Sequence, residues 1–279
     1  MDYWHNADAF LKDGPLTIAQ LDQAFPNEPV FVNNISTLTG IVNTAGLRKL
    51  GITKATKAVQ GAIPVDPKTG KLTGELIGML NVNATAKVFG KYSPALTLET
   101  FRKAEEIYTS CGFTTAQSYE TTVEDICNMR QAVERSMVNI DLIALPTYQV
   151  VDQLLDTNPN YPFGIYTNGD GGFKVAGILV STDGAPQLRL AVFSKPYIDT
   201  AGFPKDWRGI AFISQDMVNH YAKLAYQKNI QYFGCSNGDA GIDMTLSALS
   251  KARQETGITE NRRSIIAHSF FVRDDQLDQ

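Results

Sequence analysis

Strand-like and helix-like segments alternate along most of this chain, and that alternation restricts the fold more than any single motif. Short apolar runs that end in polar turns and lead into amphipathic helices are the pattern of an α/β protein with parallel strands, because a parallel pair needs a crossover long enough to hold a helix. Residues 29–33 (Pro-Val-Phe-Val-Asn) read as a short buried strand, and 43–50 as a helix stopped by Gly51. After Ser93-Pro94, Leu98, Phe101, Ala104 and Ile107 recur at helical spacing up to Gly112. The pattern then predicts strand 113–118, helix 123–135, strand 140–146, helix 149–155, strand 173–180, helix 215–228, strand 230–234, helix 242–255 and strand 263–268. Two excursions interrupt it, at about 57–80, where Gly61, Pro64, Pro67, Gly70, Gly74 and Gly78 cluster, and at about 181–209. About six strands result, where a closed (β/α)8 barrel needs eight. An open doubly wound sheet and a barrel with strands outside this chain both remain. The long loops after strand ends favour the barrel, which assembles its site there. One domain over 1–279 is expected.

Composition bounds the partners. With 43% hydrophobic and 19% charged residues the chain can bury a large core, which excludes disordered and disulfide-scaffold readings. Lys and Arg number 25 against 29 Asp and Glu, a net charge of −4 without long like-charge runs, so no nucleic-acid partner is expected. Stretches such as 138–145 are broken by Asn139 and Asp141 and fall short of the ~20 residues of a spanning helix, so no membrane partner is expected. The start carries no basic region followed by an apolar one, which makes a cytoplasmic location the expectation. Cys111, Cys127 and Cys235 are widely spaced and read as reduced thiols, while His5, His220 and His268 form no His-x-His pair.

Candidate chemistry gathers at predicted strand ends. Cys235-Ser236-Asn237-Gly238-Asp239 is either a polar turn opening a helix or the edge of a site. His268 ends an apolar run, so its ring is either a ligand or base in the barrel mouth or a hydrogen-bonded core histidine. Asp183-Gly184 either holds a substrate amine or caps a turn. Cys235 and His268 end neighbouring strands, as nucleophile and base or as two metal ligands, but a zinc site needs three or four. Asp183, Asp239 and His268 are thus the candidate catalytic residues, and Asn237 and Cys235 the candidate substrate-binding ones.

In order along the chain come Val42-Asn43-Thr44-Ala45-Gly46-Leu47, Thr73-Gly74-Glu75-Leu76, Gly112-Phe113-Thr114-Thr115-Ala116-Gln117, Asp183-Gly184-Ala185-Pro186-Gln187 with Lys195-Pro196-Tyr197, Ser236-Asn237-Gly238-Asp239-Ala240, and Ala267-His268-Ser269 with Asp275-Gln276-Leu277-Asp278. This collinear set resembles the YtcJ-like branch of the amidohydrolase superfamily, which includes N-substituted formamide deformylases. The resemblance implies a metal-dependent (β/α)8 hydrolase of non-peptide C–N bonds, with zinc the cofactor it allows. It also marks departures. The family's histidine after Ser-Gly falls on Leu38 (in Ser36-Thr37-Leu38), its bridging lysine on Leu179, its histidine before Asn-Gly-Asp on Cys235 and its glutamate on Gly78. Only His268 keeps its type. The resemblance therefore implies no binuclear metal site, with His268 and Cys235 as the weak ligand candidates, and a mildly acidic mouth whose floor, more apolar than the family's, suits a neutral or cationic small molecule with a hydrophobic portion. The family's first-strand His-x-His and last-strand aspartate fall outside residues 1–279, so an incomplete barrel and a homo-oligomer that covers its open edges are expected. Three readings follow: a scaffold that has lost hydrolysis and binds a small molecule or partner, a hydrolase using one metal or Cys235 with His268, and a fragment or strand-sharing oligomer without hydrolytic function.

Overall fold

The computed structural model describes residues 3–4, 16–34, 37–58, 61–89, 94–198 and 203–279. His5, Ser36, Ser93 and the 59–60 and 199–202 parts of the two excursions lie outside them. The chain divides into two compact units, Met1–Lys91 and Tyr92–Gln279.

The first unit contains β1 (Tyr3–Trp4), α1 (Ile18–Ala24), β2 (Phe31–Asn34), β3 (Thr39–Val42), α2 (Thr44–Leu50), β4 (Gly61–Ala62), β5 (Glu75–Gly78) and α3 (Met79–Phe89). Its 5-stranded sheet runs β1-β2-β3-β5-β4, parallel only between β1 and β2. The parallel order expected from the alternating pattern does not extend here. The strand read from the sequence at 29–33 pairs antiparallel with β3, and the first excursion is a hairpin in which Val65 bridges Leu72. At its tip Asp66 accepts from the backbone N–H of Lys68 (2.7 Å) and Thr69 (3.0 Å), an Asx turn. Asn43 ties the unit together. Fully buried, it caps α2 by accepting from Gly46 N (2.8 Å), accepts from Val30 N (2.9 Å), and donates to the carbonyls of Phe25 (2.9 Å) and Glu28 (2.8 Å). Gly51, left-handed at φ 71°, ends the helix where the sequence placed its stop. Val42, Leu47, Ile52, Leu76 and Ala84 form the core beneath.

The second unit carries the parallel pattern. It runs α4 (Pro94–Ser110), β6 (Thr115–Thr121), α5 (Val123–Glu134), β7 (Asp141–Pro146), α6 (Tyr148–Thr157), β8 (Phe173–Val175), β9 (Gly177–Ser181), α7 (Gln215–Lys228), β10 (Gln231–Ser236), α8 (Asp239–Thr256), β11 (Ile265–His268) and α9 (Asp274–Leu277). Two 3-stranded sheets, β6-β7-β8 and β9-β10-β11, are parallel throughout. They adjoin at Ala176, whose N–H donates to the Ala144 carbonyl (2.9 Å), and at a bridge from Thr147 to Leu179. The strands lie side by side in sequence order, without the reversal of a doubly wound sheet. Among the described residues no closed barrel forms.

Strand alternation gives this sheet two faces. Ile178, Val180 and Tyr232 pack against Val218, Ala222 and Ala225 of α7 and Ala248 of α8. Leu179 and Phe233, one residue out of phase, point to the other face, where they meet Leu145 and Ala176, with Ile143 and Cys235 against them. Burying each such Leu or Phe contributes roughly 1.5–3 kcal/mol. The second face is therefore a hydrocarbon cluster, which governs what chemistry it can host.

Candidate functional site

The loops that follow β9 and β10 meet at Asp183, and the loop after β11 joins the second of them where Phe271 N–H donates to the Asn237 carbonyl (3.1 Å). Asp183 is 2% exposed, and its two carboxylate oxygens take four N–H donors. Oδ1 accepts from the backbone N–H (2.7 Å) and side-chain amide (3.1 Å) of Asn237. Oδ2 accepts from the backbone N–H of Gly238 (2.9 Å) and Val192 (2.8 Å). Burial pushes the Asp183 carboxyl above the ordinary value, against the pull of those donors. The glycines of the Asn-Gly-Asp-Ala-Gly run have a steric reason. A Cβ on Gly238 would lie 2.1 Å from the Val192 carbonyl oxygen, and one on Gly241 would lie 2.6 Å from Asp183 Oδ2. Beneath them a chain of buried hydroxyls joins the strand ends to α8: Thr182 donates to Ser236 (2.8 Å), and Ser236 lies 3.0 Å from Thr245. Asp183 and Asn237 are thus brought together, as partners in a loop lock.

Asp239, in the first turn of α8, faces another loop. Its Oδ1 accepts from Ser194 N (2.8 Å), and Oδ2 accepts from the Ser194 hydroxyl and from Arg273 Nη1 (3.1 Å). Burial opposes ionisation here, but the Ser194 and Arg273 donors outweigh it and hold the carboxyl below its ordinary value of 3.8. Arg273 also grips Asp243 (2.9 and 3.0 Å) and Asp275 (2.9 and 3.0 Å), and Gln276 donates to the Asp239 carbonyl (2.8 Å). A depressed carboxyl contributes stability that is complete above its unfolded value and is lost as pH falls through the folded one. Urea midpoints between about pH 5 and pH 2 should therefore fall less steeply for Asp239→Asn than for the unaltered protein. Equal slopes would show that the Arg273 and Ser194 contacts do not stabilise the charged form.

Cys235 and His268 are placed apart. Cys235 pairs with Ala267, and His268 with Ser236, so the two are one residue out of register. Cys235 packs against the hydrocarbon cluster, and burial pushes its thiol up to about 11, which disfavours the nucleophilic thiolate. His268 is exposed, left-handed at φ 69°, with its ring 5.5 Å from that of Phe270.

Beside this lock lies a groove of about 950 Å³, lined among others by Phe193, Tyr197, Phe271, Arg189, Lys195 and Arg273. Phe193 stands edge-on to both Tyr197 and Phe271, each at 4.9 Å. Of the five residues singled out from the sequence, Asp239 alone lines it. The aromatic and basic members were missed. The adjacent Phe270-Phe271 after His268 and the arginine at 273 were the available signals.

Sequential parallel βα steps, with the loops of a candidate site gathered where the strands end, define a mixed α/β protein. The amidohydrolase family profile matches residues 3–279, and the chain belongs to that family. Two solved structures share its fold. An uncharacterized metal-dependent hydrolase from Pyrococcus horikoshii OT3 matches with TM-score 0.65 and 19% identity, over 95% of this chain and 49% of that one. An uncharacterized metal-dependent hydrolase from Pyrococcus furiosus matches with TM-score 0.63 and 18% identity, over 95% and 50%. The chain thus spans about half the length of the structures it matches. No curated protein matches it.

The metal implied by such a fold can be tested against the donors present. Among the described residues no group of three or more His, Cys, Asp or Glu could hold an ion together. Leu145, Leu179 and Phe233 have no lone pair to offer one, and both Asp183 oxygens are taken by N–H donors. The described residues do not supply the donor set of a metal centre. No helix among those described is long and apolar enough to cross a membrane.

Proposed function

We propose that this protein is an incomplete YtcJ-like (β/α) barrel, one amidohydrolase-type domain over 1–279, that has exchanged metal-dependent C–N hydrolysis for the binding of a small molecule at the groove beside Asp239. The observation that carries this reading is that Leu179, on which the family resemblance places a bridging lysine, is packed among Leu145, Ala176 and Phe233, with no nitrogen or oxygen side-chain donor in that cluster. In this reading Asp183 and Asn237 position the loops, Asp239 forms part of the groove, and Cys235 and His268 take no part in chemistry. The raised thiol and the register offset argue against the alternative of a Cys235 and His268 hydrolase.

The test is elemental analysis of protein purified without chelator, with hydrolysis of N-substituted formamides assayed before and after adding zinc. Substoichiometric metal and no zinc-dependent turnover are expected. One or two tightly held transition-metal ions per chain, with hydrolysis that depends on them, would overturn the reading. A second copy of the chain is the proposed neighbour of the outer strands, because β6 and β11 are each paired on one side among the described residues and Phe113 (57% exposed) and Ile265 (41%) stand beside those edges. Light scattering should give a dimer or larger assembly, and a monomer well above micromolar concentration would remove that part.

A further inference from the structure

We infer that the second unit holds a further binding site, a cavity between α4 and the β6–β7 pair that takes a small organic cation: an ammonium carried on an aromatic or branched hydrocarbon body. None of its lining residues lines the groove beside Asp239, so this site stands or falls independently of that one. Its origin is visible along α4. Leu98, Phe101 and Ala104 set the inward face of that helix, and Glu105 falls on the same face, four residues after Phe101 and three before Tyr108. Helical geometry therefore turns a carboxyl in among hydrocarbon, where it is 8% exposed. An acid at such a position contradicts the pattern around it, and conflicts of that kind mark functional positions.

Half of that carboxylate has a structural use. Oε1 accepts from the backbone N–H of Asn139, just before β7, which ties α4 to the sheet. Among the described residues Oε2 takes no donor, and no Lys, Arg or His pairs with Glu105; the neighbouring Arg102 is engaged by Glu99 and Glu106. A carboxylate oxygen removed from water without a donor is costly, and a ligand that supplies the donor recovers that cost. Glu105 lines a cavity of about 190 Å³. An apolar void of about 150 Å³ is enough to admit a benzene ring. The buried side chains of Met129, Val138, Ile140 and Leu142 form its floor, while Tyr108, 40% exposed, marks its mouth. Gln117 and Ser118 are uncharged, so Glu105 sets the sign of the site. The aromatic rings of Phe101 and Tyr108 on the same helix face favour the same sign, since the face of a ring attracts a cation and repels an anion.

Calorimetric titration of the full chain with 2-phenylethylammonium, 2-phenylethanol and phenylacetate tests this, because the three probes share a body and differ in charge. The ammonium should bind about ten-fold more tightly than the alcohol, and phenylacetate more weakly than either. Glu105→Gln keeps an acceptor for the Asn139 N–H, and should bring the ammonium down to the level of the alcohol while leaving the alcohol within about two-fold. Ala104→Leu fills the cavity and should abolish binding of all three. In the unaltered protein the methyl resonance of Met129 should move as the ammonium is added, through the ring current of the bound phenyl group. If the alcohol or phenylacetate binds as tightly as the ammonium, or Glu105→Gln leaves the ammonium untouched, the cation site is overturned. Binding that persists in Ala104→Leu, or that leaves the Met129 methyl unmoved, places the ligand elsewhere and overturns it as well. If none of the probes binds at millimolar concentration, the cavity is a packing void only and the inference fails.

Discussion

Asp183→Ala should lower the stability of the second unit by about 4 kcal/mol, because buried donors left without an acceptor cost ~1–3 kcal/mol each and partial relaxation keeps the sum below the maximum. The donors in question are the backbone N–H groups of Asn237, Gly238 and Val192, held where the carboxylate is 2% exposed. Asp183→Asn preserves the volume but turns an NH2 toward N–H donors, and should cost about half as much. The check is the urea midpoint read by far-ultraviolet circular dichroism. An alanine variant within about 1 kcal/mol of the parent would show that water replaces the carboxylate freely and that the loops are held by other contacts.

Leu179→Glu should be at least as damaging, and it bears on chemistry as well as stability. Leu179 is 1% exposed against Leu145, Ala176 and Phe233, so a carboxyl there finds no donor in its own cluster. Keeping it neutral at pH 7 costs about 1.36 kcal/mol for each of the roughly 2.7 pH units above its unfolded value near 4.3, about 4 kcal/mol, beyond the lost leucine packing. The expected result is a protein that melts far below the parent or does not fold, whereas Leu179→Met stays within about 1.5 kcal/mol. Adding zinc decides the functional question. Recovery of the melting temperature by zinc in the glutamate variant would reveal donors around this face and overturn the loss of metal chemistry proposed above.

Much of the second unit was legible because its signals are local. Helix 215–228 was read to the residue, since Ser214 caps its start by accepting from Met217 N and a left-handed Asn229 ends it. The six strands read from the sequence correspond to β2, β6, β7, the β8 and β9 pair, β10 and β11. What failed was non-local. Helix α8 begins at Asp239 rather than 242, because no side chain caps it; the N–H groups of Ala240 and Gly241 are met by the Val192 carbonyl from a distant loop. Strands β3, β4 and β5 are short, and their pairing partners, not their composition, make them strands. The candidate site was legible as an address at strand ends. Its charge was not, because the sequence counts Asp183 and Asp239 as acids without showing which N–H groups consume them.

The sequence-order pairing of β6 through β11 has a kinetic consequence. Each strand docks on one made shortly before it, β9 on β7 through the Thr147–Leu179 bridge, so the unit can assemble progressively from its N-terminal side as the chain emerges during synthesis, and most of its native pairs close modest loops. The slow closure is the one between β9, which ends at Ser181, and β10, which begins at Gln231, since it must tame the longest connection in the series before any reward is collected. The Asp183 bonds to Asn237 and Gly238 span that same gap. A variant that loses them should therefore refold more slowly as well as unfold more readily, with its folding arm shifted in proportion to how early that loop closes.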